Sequence, residues 1–273
     1  MLPVYLEHLI LPKLSDAACY TEVHHVDGAG NDAGVVYSEM QGRENDAFDL
    51  VDTKSKRQIY PKSSGYHYHT GGLTEALRVL PNEKIRDFHK AMYQPKNICV
   101  IIVGDVEQDK LLEKLDKFED TIIDHVPRYE EPFDRPWVTH AKAPPLSEST
   151  RVTVEFPESD ESLGSIQVAY FGPDIRNHVG IVAMKVFTEY ICGGPVALLD
   201  RTLVEEEQLA SSIYVQVNDR PDSLVMFQLS DVETKQLDTV ANRYFEVLLE
   251  ASKKPLDMAY LKDRLSRSKR VNK

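Results

Sequence analysis

Apolar residues recur at helical spacing from the start of the chain: Leu2, Leu6, Leu9, Ile10 and Leu14 repeat every three to four positions. Pro12 interrupts the pattern, so a helix is predicted to end near Leu11. Cys19 to Val26, C-Y-T-E-V-H-H-V, alternates toward a strand and stops at the Asp27-Gly28-Ala29-Gly30 turn. Asn31 or Asp32 is placed to cap a helix running through Met40, with Gly42 closing it or thinning its packing. A second helix is expected over Ala47 to Gln58, followed by a turn-rich loop, Y-P-K-S-S-G-Y-H-Y-H-T-G-G, from Tyr60 to Gly72. Thr74 to Val79 and Asn82 to Met92 follow as helices, the latter started by Pro81. Asn97-Ile98-Cys99-Val100-Ile101-Ile102-Val103 is a continuous apolar run ended by Gly104-Asp105, the pattern of a fully buried strand; Val106 to Phe118 is amphipathic helix.

The pattern lapses between Asp124 and Thr150. Pro127, Pro132, Pro136, Pro144 and Pro145 fall there, with Pro157 just beyond, among charged residues, which predicts an interdomain linker over 124–150. Strands are then expected at Val152 to Phe156 and Ser165 to Phe171, and helices at Asn177 to Cys192 and Ala197 to Glu206. A hairpin follows, Ile213 to Val217 and Leu224 to Leu229 across N-D-R-P-D-S, and a long helix over Glu233 to Ser252. This order is α+β, with helices on one face of a mainly antiparallel sheet. The segment before the linker carries the tail of a similar order. The expectation is two related units of antiparallel or mixed sheet: 1–123 as the C-terminal part of a truncated first unit, and 151–273 as a second, truncated at its C-terminus.

Length and charge narrow the picture. A chain of 273 residues, 42% hydrophobic, suits about two domains with a core each. Its net charge of −12 argues against nucleic acid or an anionic membrane surface as partner. Cys19, Cys99 and Cys192 are far apart and odd in number, so neither a disulfide framework nor a thiolate zinc site is indicated. A reducing compartment fits, cytoplasmic by preference and the mitochondrial matrix as alternative. No apolar run approaches a membrane span, and both ends read as cut.

Several motifs invite a chemical reading. Val4-Tyr5-Leu6-Glu7-His8 differs by one side chain from H-x-x-E-H, in which two histidines on one helical face bind Zn²⁺ beside a carboxylate base; with valine at position 4 that chelate cannot form. Gly104-Asp105 lacks the glycine pattern of a phosphate loop and reads as a turn, and Gly193-Gly194-Pro195 follows a helix and reads as a C-cap. His24 and His25 point to opposite faces of a strand, and His67 and His69 are loop histidines two apart. Glu39, among Gly34-Val35-Val36-Tyr37 and Met40, is either a partly exposed partner of Arg43 at i+4 or a carboxylate bound to a metal.

Three stretches together resemble a known family. D-A-G-V-V-Y-S-E-M-Q-G-R-E-N (Asp32 to Asn45), the Tyr60 to Gly72 loop, and F-H-K-A-M-Y-Q-P-K-N-I-C-V-I-I-V-G-D-V (Phe88 to Val106) are similar to the pitrilysin/insulinase (M16) zinc metallopeptidases, in the branch of presequence protease. Y-I-C-G-G-P-V-A-L-L-D-R-T-L (Tyr190 to Leu203) resembles that family's helix-turn-helix. The resemblance implies a clam-like peptidase of about four units that degrades peptides in an enclosed chamber. It places Glu39 as third zinc ligand and Asp32 as a supporting or capping residue, with capping preferred. Only 39 − 8 = 31 residues separate His8 from Glu39, shorter than the family's spacing, so Val4 to His8 is a coincidence. The true H-x-x-E-H is expected ahead of residue 1, and no catalytic residue is assigned within the chain. Zn²⁺ belongs to the parent, whose partners are peptide substrates and its remaining units; this chain alone is expected neither to hold zinc tightly nor to cleave peptides. The alternative is a non-catalytic, structural or substrate-holding M16-like subunit. The first unit is also expected to be poorly soluble, since its sheet would expose an unpaired edge.

Overall fold

The computed structural model describes residues 1–125 and 142–271, with side chains through residue 266. Residues 126–141 of the expected linker lie outside the described residues. The chain divides into two compact units: Met1–Leu50 with the described residues of Tyr68–His140, and Val51–His67 with the described residues of Ala141–Lys273. No helix among the described residues is long and apolar enough to cross a membrane.

The first unit is mainly helical. α1 (Leu2–Ile10) follows the predicted periodicity and packs Leu6 and Ile10 against Phe118 and Ile122 of α7 (Gln108–Ile122). Burying each of these side chains stabilises by roughly 1.5–3 kcal/mol. α2 (Asp16–Glu22) lies where a strand was expected. Ser15 accepts the N–H of Ala18 at 3.2 Å, and this N-cap commits Cys19 to a helix; extended backbone begins only at β1 (His25–Val26). β1 pairs antiparallel with β2 (Asp32–Ala33) around a turn in which Asp27 Oδ1 accepts the N–H groups of Ala29 and Asn31. There follow α3 (Val35–Glu44), α4 (Ala47–Ile59), which passes into the second unit, the short α5 (Thr74–Leu77) and α6 (Asn82–Met92).

The run Asn97 to Val103 is not a strand. Ile101 is 81% and Val103 93% exposed, and no described strand lies beside it. β-propensity alone does not make a strand; a ladder partner is needed to take up the N–H and C=O groups.

The second unit is α+β. Its antiparallel sheet has the order β3-β5-β4, from β3 (Leu163–Phe171), β4 (Ser212–Val217) and β5 (Leu224–Glu233). The β4–β5 hairpin matches its prediction, whereas Val152 to Phe156 forms no strand. Val225, Phe227 and Leu229 of β5 pack with α8 (His178–Cys192), the π-helical turn Asp200–Glu206 and α9 (Leu237–Ser252). Asn177 caps α8 by accepting the N–H of Gly180 at 2.9 Å. A bulge opposite Gly164 and Ile166, with Asp231 at φ 52°, keeps Val232 on this core face despite the alternation. α10 (Met258–Val271) closes the unit.

The opposite face of β5 is covered as well. Leu224 and Met226 meet Ile59, Tyr60 and Tyr66, so the segment Val51–His67 supplies the cover that helices provide on the other side.

Candidate functional site

Glu39 stands on α3, and the geometry of that helix follows from its inner face. Tyr37 (1% exposed) and Met40 bury themselves against Leu77, Val23, Val36 and Leu80. Val35 and Glu39, one turn apart on another face, are exposed. The helix starts at Gly34, whose φ of 130° and closeness to Val23 O, 2.6 Å from where a Cβ would stand, admit only glycine. Asp32 lies two residues ahead of this N-cap, in β2.

Asp32 is the centre of a polar lock. Its Oδ2 accepts from Arg78 Nη2 at 2.7 Å and Nε at 3.2 Å and from the Tyr37 hydroxyl at 3.2 Å. His24 Nε2 donates to its Oδ1 at 2.7 Å. Arg78 also donates to Tyr37 OH at 2.5 Å. The Arg78 and His24 donors hold the Asp32 carboxyl well below the ordinary carboxylate range. Two further contacts fix the helix. Glu44, at its C-terminal end, accepts from Thr74 N at 2.8 Å and Thr74 Oγ1 at 2.5 Å, capping α5 from the far side of α4 in sequence. Gly71 lies so close to Met40 Sδ that a Cβ would stand 1.8 Å from it.

The carboxylate of Glu39 itself makes no hydrogen bond or ion pair among the described residues, Arg43 included. The sequence left Glu39 open between a partly exposed partner of Arg43 and a metal-bound carboxylate; in the structure it is exposed, because Tyr37 and Met40 take the inner positions, and Arg43 does not pair with it. The histidine candidates each have other contacts. His25 Nδ1 donates to Tyr20 O at 3.1 Å, His67 Nδ1 to Tyr60 O at 2.8 Å and His8 Nδ1 to Val4 O at 2.8 Å, while His69 Nδ1 accepts from Gly71 N–H.

Among the described residues no group of three or more His, Cys, Asp or Glu side chains could hold a metal ion. A zinc site needs three such donors. Glu39 has no second donor beside it and Asp32 is committed to Arg78 and His24, so among the described residues the donors do not fit Zn²⁺. Sequence reasoning missed Arg78, Tyr37, Glu44 and Thr74. No periodicity links Asp32 to Arg78 or to Tyr37.

The family description "Peptidase M16 inactive domain" matches residues 80–266. An uncharacterized protein of Schizosaccharomyces pombe is 33% identical over 266 residues, covering 97% of this chain and 26% of its own length. The chain spans about a quarter of the length of the curated relatives that it matches along most of its length. Among solved structures, a protease from Helicobacter pylori superposes with TM-score 0.72 at 21% identity, over 86% of this chain and 55% of that one. Pitrilysin superposes with TM-score 0.54 at 16% identity, over 95% of this chain and 27% of its own. At such identities the likeness speaks for the fold. With about two-thirds of its residues in the matched region, this chain belongs to the M16 peptidase family, and that region corresponds to the family's inactive domain.

Proposed function

We propose that this chain is a section of a longer M16 zinc metallopeptidase that hydrolyses peptides in an enclosed chamber, and that Glu39 is one of that enzyme's zinc donors. One observation carries the reading: Glu39 is an unpaired carboxylate on a helix fixed at Gly34, by Asp32 with Arg78, and by Glu44 with Thr74. A carboxylate free of partners on so constrained a helix suits a ligand whose co-donors come from elsewhere. The inactive-domain match begins at residue 80, after α3, which fits Glu39 belonging to a preceding unit of different role. In this reading 1–123 is the C-terminal part of one unit, 124–150 the connection, and 151–273 most of the next. Asp32 supports α3 through Arg78 rather than by touching metal. In this reading the chain's own part in the chemistry is to orient one carboxylate, and the water-activating base and two imidazoles come from an H-x-x-E-H motif elsewhere in the longer protein. The compartment in this reading is the cytoplasm, with the mitochondrial matrix as alternative.

The test is made on the complete coding sequence. It should carry H-x-x-E-H ahead of Glu39, and Glu39→Gln in the full-length protein should abolish stoichiometric zinc by elemental analysis. A reading frame with no such motif, or a Glu39→Gln protein that keeps its zinc, rejects the proposal. The second reading, a non-catalytic unit that holds substrate or partner subunits, draws on the inactive-domain description of residues 80–266. It expects peptide binding without turnover in the full-length protein.

A further inference from the structure

The Tyr60 to Tyr66 stretch lies on the second unit's sheet without adding a strand to it. The β3-β5-β4 ladder is complete without this stretch, whose hold comes from side chains and from α4. Tyr60 is 2% exposed and seats its ring over Leu224 and Met226, edge-on to Phe171 at 6.2 Å and 5.2 Å from Tyr66. Its hydroxyl donates to the backbone carbonyl of Asp222 at 2.6 Å. Asp222 sits in the hairpin turn at φ 50°, a strained conformation for an aspartate, braced where its Oδ2 accepts the N–H of Ala143. Arg220, in the same turn, stacks its guanidinium over the Tyr66 ring at 4.5 Å. Between the tyrosines the segment closes on itself: Ser64 N donates to Pro61 O, and His67 Nδ1 to Tyr60 O. Both ends of Val51–His67 continue into the other unit.

A surface of this kind has an apolar floor, one fixed backbone acceptor for a phenol and one cation for an aromatic face. Those are the features of a peptide subsite. We propose that the helix-free face of this sheet is a docking surface for a peptide turn flanked by two tyrosines, and that Tyr60–Tyr66 is its resident, displaceable occupant. The occupant is a strap: lifting it breaks side-chain contacts, the hydrogen bond of Tyr60 to the Asp222 carbonyl among them, but no rung of the sheet. This inference is independent of the zinc reading.

The experiment uses the full chain with protease sites introduced at Asn45-Asp46 and at Tyr68-His69, cut after folding so that every residue remains present. A fluorescent synthetic peptide of residues 46–68 is then offered to cut and uncut protein, and exchange is followed by anisotropy and native mass spectrometry. The cut protein should take up the labelled peptide and the uncut protein should not. A Tyr60→Phe peptide, which leaves the Asp222 carbonyl without its donor, should bind roughly tenfold more weakly. If cutting unfolds the second unit, recovery of its unfolding transition on adding the peptide supports the strap. Three outcomes overturn it: no exchange over a day, equal uptake of the wild-type and Tyr60→Ala peptides, or loss of the transition without recovery.

Discussion

Asp32 and Tyr60 are the two side chains whose surroundings make the sharpest demands. Arg78 and His24 stabilise the ionised Asp32, so its folded-state value lies below the 3.8 of the free side chain. A group depressed in this way contributes stability above its unfolded value and loses it as pH falls further. Protection factors at α2 and α3, which remove the intrinsic pH dependence of amide exchange, should therefore fall below about pH 4. In Asp32→Asn that acid step should vanish while exchange at neutral pH rises. Tyr60 behaves oppositely. Burial favours the neutral phenol and pushes it from 10.0 up to about 12, so its contribution is intact below pH 10 and fades between the two values. An alkaline titration followed by phenolate absorbance should count one late-titrating phenol fewer in Tyr60→Phe.

At the scale of elements, α3 depends on how it starts. Gly34→Ala forces a Cβ against Val23 O at a φ of 130° and should destabilise the first unit by about 2 kcal/mol in a denaturant melt. The Cys99 to Val103 run has another consequence. It is apolar, rich in β-branched residues and exposed, a composition that favours β-pairing between copies. Ile101→Lys with Val103→Lys should lower the self-association measured by sedimentation and leave helical content unchanged. The mistaken strands at Cys19 and Asn97 share a physical lesson. Alternation and apolar runs report which side chains want burial, but the Ser15 cap in one case and the lack of a ladder partner among the described residues in the other set the backbone.

For the whole molecule, the second unit is not contiguous in sequence. Val51–His67 packs with residues that follow it by about a hundred positions or more, through Ser55 to Gln167 at 2.5 Å and Tyr60 to Asp222. Opening events follow cooperative packing rather than chain order. Amides of Val51 to Ile59 should therefore exchange independently of those of α3, as native-state hydrogen exchange can read directly.

Much of the second unit was legible from the sequence because its signals are local. The Asn177 cap and the period of α8, the hairpin across Asn218 to Ser223 and the apolar face of α9 need only neighbours a few residues away. The helix carrying Glu39 and the family of the chain were legible for the same reason, as short runs of ordered residue types. The lock of Asp32 with Arg78, the clamp of Glu44 on Thr74 and the strap of Tyr60 on Asp222 join residues 46, 30 and 162 positions apart. Such partners are chosen by how the chain closes on itself, and hydropathy carries no record of that path. Tertiary packing alone therefore decided that Asp32 serves an arginine, that Glu39 faces outward and that an early segment completes a later sheet.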